Sequence, residues 1–207
     1  MPPDNPSETE VHEIVSRIVR RTLGNLTPHP GLVATPPPSP DEVRRERGEG
    51  TGVRGEVVAL GADHGGLALK ETLKEFVAGL GYAVVDCGTH SNDAVDYPDL
   101  AYAVARLVAS GEAWRGIVVD GAGIGSAMAA NKVPGVRAAL CYDHATAVNS
   151  RAHNDANVLT LGAGLIGANL AKQIVQTWLA TPFGGGRHQR RVDKIVEIER
   201  RFLKDGR

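Results

Sequence analysis

The chain has 207 residues, a formal net charge of -1 at pH 7 and 42% hydrophobic residues. The balanced charge gives no global reason to expect a nucleic-acid partner, so any anion must be bound by a local group of basic side chains. No apolar run approaches the roughly 20 residues that span a bilayer, and the amino terminus lacks the features of a secretory signal. We therefore expect a cytoplasmic globular protein with neither a membrane nor a nucleic-acid partner.

The first predicted element is an amphipathic helix within residues 1–24. Its apolar side chains recur at spacings of three and four residues, which places them on one stripe. They are Val11, Ile14, Val15, Ile18, Val19 and Leu23. Residues 25–55 are rich in proline and end in a charged run, so we interpret them as a disordered linker. A short helix on such a tether cannot bury its stripe alone and should dock on another surface.

Two destinations for this helix remain open. It could pack on its own domain or on a sister subunit, or it could act as a targeting peptide. The arrangement resembles the encapsulation peptides that carry enzymes into bacterial microcompartments, where an amphipathic helix is joined to the cargo by a flexible linker. The resemblance implies a microcompartment shell or another cargo protein as the partner of residues 10–24. A membrane surface is disfavoured because the stripe has no Trp or Phe and acids balance the bases.

Residues 56–207 alternate between short apolar segments and amphipathic ones. Strands are predicted at 57–60, 82–86, 116–119, 136–141 and 158–161, and helices at 67–80, 97–110, 126–132, 143–151, 166–181 and 192–203. Strands separated by helices require right-handed crossovers and form a parallel sheet that is covered on both faces. We therefore predict an α/β fold, namely a doubly wound, Rossmann-like parallel five-stranded sheet with helices on both faces.

Polar or glycine-rich segments follow four of the predicted strands, where the ligands of such sheets bind. They are residues 61–66, 86–98, 120–125 and 143–144. The glycine turn, residues 121–125, is the most informative because glycines between a strand and a helix let backbone amides approach an anion. Its spacing differs from a dinucleotide fingerprint, and Lys132 lies too far along the chain for a P-loop. Cys87 and Cys141 lack metal-ligand spacing, so we expect reduced structural thiols.

Four longer motifs resemble the ribose-5-phosphate isomerase B family, which includes galactose-6-phosphate isomerase subunits. They are GADHGG at 61–66, AANKVPGVRAAL at 129–140, SRAHNDANVL at 150–159 and GGRHQRRVDKI at 185–195. The resemblance extends from about residue 57 to residue 202 and excludes the amino-terminal helix and linker. It implies an aldose–ketose isomerase of phosphorylated sugars that works through an enediolate and needs no metal, nucleotide or other cofactor. Ribose 5-phosphate and ribulose 5-phosphate are the default pair.

The resemblance also implies a role for individual side chains and a partner subunit. His153 would assist opening of the sugar ring, with Asn154 beside it. Four basic side chains would bind the phosphate, to which guanidinium groups are well suited: His64, Arg187, His188 and Arg191. A homodimer is implied, in which each active site borrows residues from the partner, and pairing of dimers into a tetramer is left open.

The remaining matched positions concern the sugar and the enediolate. Asp63 and Tyr97 match residues that contact sugar hydroxyls. The backbone amides of the glycine turn, at Gly121, Gly123 and Gly125, would stabilise the enediolate oxygen.

This chain departs from the family pattern at the base that removes the proton from carbon. Many members carry a cysteine immediately before the glycine turn, where this chain has Asp120. A second branch places a glutamate at the start of the following helix, where this chain has Ser126, and a hydroxyl residue usual within the turn is replaced by Ala122. Neither Cys87 nor Cys141 occupies the base position.

Three explanations of this departure remain open. Asp120 could be the base, since carboxylates perform this function in other enzymes. The altered positions could instead suit a different sugar phosphate, such as a hexose, a deoxypentose or a 1-phosphate, and these two explanations overlap. Alternatively, the protein could bind without turnover, as a non-catalytic sugar-phosphate-binding or scaffold subunit.

Overall fold

The structure, a computed structural model, describes residues 56–204. The predicted amino-terminal helix and linker lie outside the described residues. The strands are β1 Val57–Ala62, β2 Ala83–Asp86, β3 Arg115–Asp120, β4 Ala138–Leu140 and β5 Val158–Gly162. The helices are α1 Leu67–Gly79, α2 Tyr97–Ala109, α3 Ile124–Ala130, α4 His144–Ala152, α5 Ala168–Ala180 and α6 Gln189–Lys204. Within this part of the chain no helix combines the length and apolar character of a membrane span.

All five strands are parallel, in the order β2-β1-β3-β5-β4. The helices α1, α4 and α5 pack on one face of the sheet, while α2 and α3 pack on the other. This confirms the predicted doubly wound α/β fold. The strand order reverses between β1 and β3, and Ala62, the last residue of β1, pairs with Val119, the residue before the last of β3. Residues 63–66 and the glycine turn therefore emerge side by side, at a switch point where such sheets bind ligands.

Most element boundaries differ from the sequence prediction by one to three residues, and β4 and α6 are the clearest cases. β4 has only three residues, and a side chain meets its outer side: the amide group of Asn131 donates to the Ala138 carbonyl and accepts from the Ala138 amide, both at 2.9 Å. α6 begins three residues before the first apolar position, Val192. Helix ends depend on local hydrogen bonds, which apolar periodicity does not report.

A buried ion pair joins α1 to the end of β2. The ammonium of Lys70, whose side chain has no exposed surface, lies 2.6 and 2.8 Å from the carboxylate oxygens of Asp86, and Lys74 approaches the same carboxylate at 2.8 Å. Burial raises the pKa of Asp86, but the hydrogen bonds from the two lysines outweigh it and hold the pKa below its usual value. The carboxylate also accepts from the Gly88 amide, so the pair holds the loop that leads towards α2.

Asp86→Asn is expected to destabilise the protein by about 3 kcal/mol, because it removes a charge that balances a buried ammonium. Since the folded pKa of Asp86 is lowered, its contribution is complete above the pKa of an unfolded carboxyl, near 4, and is lost as the pH falls below it. Denaturant unfolding at pH 7 and at pH 3 measures both effects, with Glu75→Gln, a change at an exposed carboxylate of the same helix, as the control. An equal loss of unfolding free energy in both variants would show that the buried pair contributes no more to stability than an exposed carboxylate does.

Candidate active site

The loop after β1 is hydrogen-bonded to the end of β3 and to the segment before α2. The amide of Asp63 donates to the Val119 carbonyl at 3.2 Å, and the Asp63 carboxylate accepts from the Gly66 amide at 2.8 Å. A Cβ atom at Gly66 would lie 2.3 Å from the Val119 oxygen, so only glycine allows this approach. His64 is exposed, and its Nδ1 accepts from the Val95 amide. Both predicted site residues, Asp63 and His64, are thereby held at the carboxyl edge of the sheet.

Asp120 ends β3 and is only 4% exposed. Its Oδ1 accepts from the amides of Ala122, at 2.8 Å, and Gly123, while its Oδ2 accepts from the amide and hydroxyl of Ser126, at 3.0 and 2.5 Å. The carboxylate therefore ties the glycine turn to the first turn of α3. The Gly123 amide, which we expected to face an enediolate, is occupied by Asp120 in this structure.

The remaining amides of this region belong to the first turn of α3. There, no helical carbonyl precedes the amides of Ile124 and Gly125, and so they lack intrahelical acceptors. Gly123 adopts φ 77°, in the left-handed region, and a Cβ there would lie 2.4 Å from a side-chain atom of Leu140. The turn thus needs glycine at 123 for its shape, independently of any anion.

Tyr97, the first residue of α2, lies against the glycine turn. A Cβ atom at Gly125 would lie 2.5 to 2.7 Å from the Tyr97 ring and hydroxyl. Gly125 is therefore required for the position of Tyr97 as well as for the approach of an anion. We call Asp63, His64, Tyr97, Asp120 and the glycine turn the carboxyl-edge group.

Gly125→Ala is expected to push the Tyr97 ring out of its place and to reduce kcat/KM by on the order of 10- to 100-fold, the usual effect of a misplacement near 1 Å. A matched control is Gly79→Ala, because a Cβ at Gly79 meets nothing within 4 Å. Steady-state kinetics and thermal unfolding of the two variants separate displacement of Tyr97 from loss of folding. Full activity in Gly125→Ala would mean that Tyr97 has no part in the site.

A second group surrounds His153, which follows α4. The imidazole rings of His153 and His188 stack, with centroids 4.2 Å apart and planes 2° apart. Arg187 Nε donates to His188 Nε2 at 3.4 Å, and the Gly184 amide donates to the Ala152 carbonyl at 2.9 Å. The loop before α6 is thus attached to the end of α4.

The pKa of the half-buried His188 is changed by its surroundings in this second group. Desolvation, followed by the charges of His153, Arg187 and Arg191, lowers the pKa of His188. Three of the four predicted phosphate-binding residues therefore lie near His153. We call His153, Asn154, Arg187, His188 and Arg191 the amino-edge group.

Asp155 supports the amino-edge group and was not singled out from the sequence, although it lies within the SRAHNDANVL motif. It adopts φ 47°, a left-handed conformation that Asp tolerates better than most residues. Its carboxylate lies 3.0 Å from Arg137 and 2.9 Å from the buried Arg151. These two ion pairs fix the backbone immediately after His153 and Asn154.

The two groups lie at opposite edges of the sheet. α4 begins beyond the carboxyl end of β4 and returns over about 13 Å, the length of nine helical residues, to the amino end of β5. His153 is therefore at the amino edge, and the loop before α6 lies there too. Across residues 56–204 no hydrogen bond, ion pair or ring contact joins the carboxyl-edge group to the amino-edge group. Within the described residues of one chain, the two groups are therefore separate.

Three side chains of types that bind metals lie together outside the carboxyl-edge group and the amino-edge group. Ligand atoms of Glu71, Asp86 and His90 lie within 4.8 Å of one another. Both carboxylates are already paired with ammonium groups, those of Lys70 and Lys74. This donor set does not fit a metal ion, because the lysines neutralise the charge that would attract one.

Comparison with known proteins agrees with this architecture. The model of the Ribose/Galactose Isomerase family matches residues 58–195. Ribose-5-phosphate isomerase B of Escherichia coli is 45% identical over 144 residues, which cover 70% of this chain and 97% of that protein. D-erythrulose-4-phosphate isomerase of Pectobacterium atrosepticum is 41% identical over 146 residues, 69% of this chain and 94% of that protein.

A solved structure gives the same result. Ribose-5-phosphate isomerase B of Clostridium thermocellum is 52% identical, with a TM-score of 0.70 and coverage of 70% of this chain and 99% of that one. The fold, the four motifs and these similarities agree. The chain therefore belongs to the ribose/galactose isomerase family, the sugar-phosphate isomerases of the ribose-5-phosphate isomerase B type.

Proposed function

We propose that this chain interconverts ribose 5-phosphate and ribulose 5-phosphate through an enediolate, without a metal or a nucleotide. The reaction moves a proton between two adjacent carbons and needs a base, an oxyanion site and contacts to the hydroxyls. The observation that carries the proposal is the carboxyl-edge group, where an acidic strand end, Asp120, meets a glycine turn beside Asp63 and Tyr97. A preorganised set of this kind stabilises charge where it develops in the transition state.

Asp120 is the proposed base at carbon. A carboxylate has about four acceptor positions, and in this structure four donors occupy them. One of these hydrogen bonds must therefore open before Asp120 can accept a proton from the substrate. The Ser126 hydroxyl is the donor that can leave by rotation, since the other three are backbone amides. A substrate oxygen that accepts the hydroxyl proton would expose Oδ2.

We further propose that the working form is a homodimer with shared sites. A two-fold axis that places the amino-edge group of one subunit over the carboxyl-edge group of its partner creates two complete sites. Exposed apolar side chains are available for such an interface. They are Tyr97, Ile124, Met128, Leu165, Ile195, Ile198, Phe202 and Leu203. Light scattering after gel filtration tests the state, with a tetramer as a further outcome and a monomer as the result that contradicts the proposal.

The first experiment is to measure interconversion of ribose 5-phosphate and ribulose 5-phosphate by the purified full chain. Turnover supports the proposal. Its absence would turn the search to other sugar phosphates, beginning with erythrulose 4-phosphate, the substrate in the name of the Pectobacterium relative. Hexose 6-phosphates, deoxyribose 5-phosphate and 1-phosphates complete the set, because this chain departs from the family pattern at Asp120 and Ala122.

The hydrogen bonds on Asp120 favour a second candidate, a non-catalytic sugar-phosphate-binding or scaffold subunit. If the carboxylate never leaves the glycine turn, the family's base position is filled by a structural group. Calorimetric titration with ribose 5-phosphate distinguishes the candidates when turnover is absent from the whole set. Binding without turnover supports the second candidate, while neither binding nor turnover removes both.

For residues 10–24 we propose a targeting role towards a microcompartment shell or another cargo protein. The support is the sequence stripe and its separation from the isomerase domain by residues 25–55. The test is to fuse residues 1–30 to a fluorescent protein and to co-express the fusion with a microcompartment shell. Fluorescence that remains diffuse in cells containing shells contradicts encapsulation by this peptide.

A further inference from the structure

The imidazole of His153 is attached to the helix that precedes it. The His153 amide donates to the Asn149 carbonyl at 3.0 Å, which closes the last turn of α4. Four residues apart on a helix, the two side chains are neighbours. Asn149 Nδ2 lies 3.0 Å from His153 Nδ1. His188 covers the face of the ring by stacking.

The orientation of the two amide side chains follows from a backbone carbonyl. Asn154 Nδ2 lies 3.4 Å from the Asn149 carbonyl oxygen, which can only accept, so a nitrogen must face it. The same Asn154 nitrogen lies 3.4 Å from the Asn149 side-chain amide, which must therefore present its Oδ1. Asn149 Nδ2 is left to face His153, and an amide nitrogen can only donate.

The consequence for His153 is a defined tautomer. Because Asn149 donates to Nδ1, this nitrogen is the acceptor, and the proton of the neutral ring is on Nε2. A neutral imidazole that donates from nitrogen to a substrate oxygen is a known electrophile in isomerases.

We propose that Asn149 is a positioning residue that holds the proton of His153 on Nε2, ready to donate to the ring oxygen of a cyclic sugar phosphate. The proposal rests on the proposed function. In ring opening the anomeric hydroxyl proton moves to the ring oxygen, the bond from C1 to the ring oxygen breaks and the C1 carbonyl forms. A hydrogen bond from Nε2–H stabilises the negative charge that builds on the ring oxygen as this bond breaks.

The direct test is a long-range proton–nitrogen NMR correlation of His153 in the full chain at neutral pH. The Nε2–H tautomer is expected in the parent protein. Asn149→Asp replaces the donor with a carboxylate that accepts from Nδ1–H, so the proton is expected on Nδ1 in that variant. Asn169→Asp, the same change at an exposed position at the start of α5, should leave the tautomer unchanged. A parent ring protonated on Nδ1 overturns the proposal whether or not the protein has activity.

The kinetic test compares a cyclic with an open-chain substrate. Ribose 5-phosphate closes to a furanose, whereas ribulose 5-phosphate cannot use its esterified O5 to close a ring and stays open. In Asn149→Asp, kcat/KM for ribose 5-phosphate is expected to fall about 10-fold or more, within the worth of an acid–base group. Exchange of the C1 hydrogen of ribulose 5-phosphate with deuterated water needs no ring opening and is expected to fall less than about 3-fold.

The NMR and kinetic measurements distinguish failure of this inference from failure of the proposed function. Equal losses in turnover and exchange would show that Asn149 supports folding or binding in general, and would overturn the positioning role. A parent protein that does not turn over ribose 5-phosphate contradicts the proposed function, and the tautomer comparison then decides the inference alone.

Discussion

Asp120→Asn is expected to reduce turnover of ribose 5-phosphate at least about 100-fold, in line with the usual worth of a general base. Asparagine keeps the size of the side chain and its Oδ1 can still accept from the amides of Ala122 and Gly123. It has no second carboxylate oxygen to take a proton from carbon. The measurement is the initial rate of ribulose 5-phosphate formation, together with exchange of the substrate hydrogen into solvent.

The same substitution also disturbs the glycine turn, and this effect must be separated from loss of the base. The side-chain nitrogen introduced by Asp120→Asn would face the Ser126 amide, so two donors meet, at an expected destabilisation of about 1 to 3 kcal/mol. The control is Ser126→Ala, which removes one donor to Asp120 and leaves the carboxylate in place. We expect its turnover to fall less than about 10-fold, with a comparable loss of stability.

An Asp120→Asn protein that is folded and retains turnover within about 10-fold of the parent would contradict the assignment of Asp120 as base. The base would then lie elsewhere in the carboxyl-edge group. Asp63 is the next candidate, because it follows β1, the strand beside β3, and its carboxylate accepts one amide hydrogen bond compared with four hydrogen bonds at Asp120. Asp63→Asn would then be the variant that loses exchange at carbon.

The second large effect is recovery of activity when two inactive variants are mixed. His153→Ala damages the amino-edge group, and Asp120→Asn damages the carboxyl-edge group. If each site combines the two groups from different subunits, a mixed dimer has one intact site and one doubly damaged site. Random exchange of equal amounts makes half of the dimers mixed, so about a quarter of the parent activity is expected.

The mixing experiment requires subunit exchange, which brief exposure to mild denaturant followed by refolding provides. The matched control mixes His153→Ala with Arg187→Ala, two lesions in the same group. Every site in that mixture then carries at least one lesion, and no recovery is expected. Recovery in neither mixture, from proteins that light scattering shows to be dimeric, would mean that each subunit builds its site alone.

Much of the fold could be predicted because each strand and helix has a local signal. The apolar strand Val57–Ala62 and the stripe of α5 needed only their own periodicity, and alternation of the two element types implied a parallel sheet. The short β4 was the exception. Its outer side is met by Asn131, a residue outside the strand, and periodicity carries no information about such a contact.

Some site residues could likewise be predicted from local sequence, and others could not. The four motifs selected Asp63, His153 and Arg187 by type and neighbourhood, and the structure places each beside residues from the same prediction. The roles of Asn149 and Asp155 were missed, since their contacts depend on amide orientation and on a left-handed backbone conformation. Neither property is visible in residue order.

The sequence by itself determined the fold class, the family and the inventory of side chains, because these depend on local patterns and on long motifs. Only the tertiary structure decided which residues meet. It showed that α4 carries His153 away from Asp120, to the opposite edge of the sheet, and that the Asp120 carboxylate fills the turn expected to hold an anion. Such outcomes depend on the direction of each helix and on competition among donors for one acceptor, and both exist only once the chain is folded.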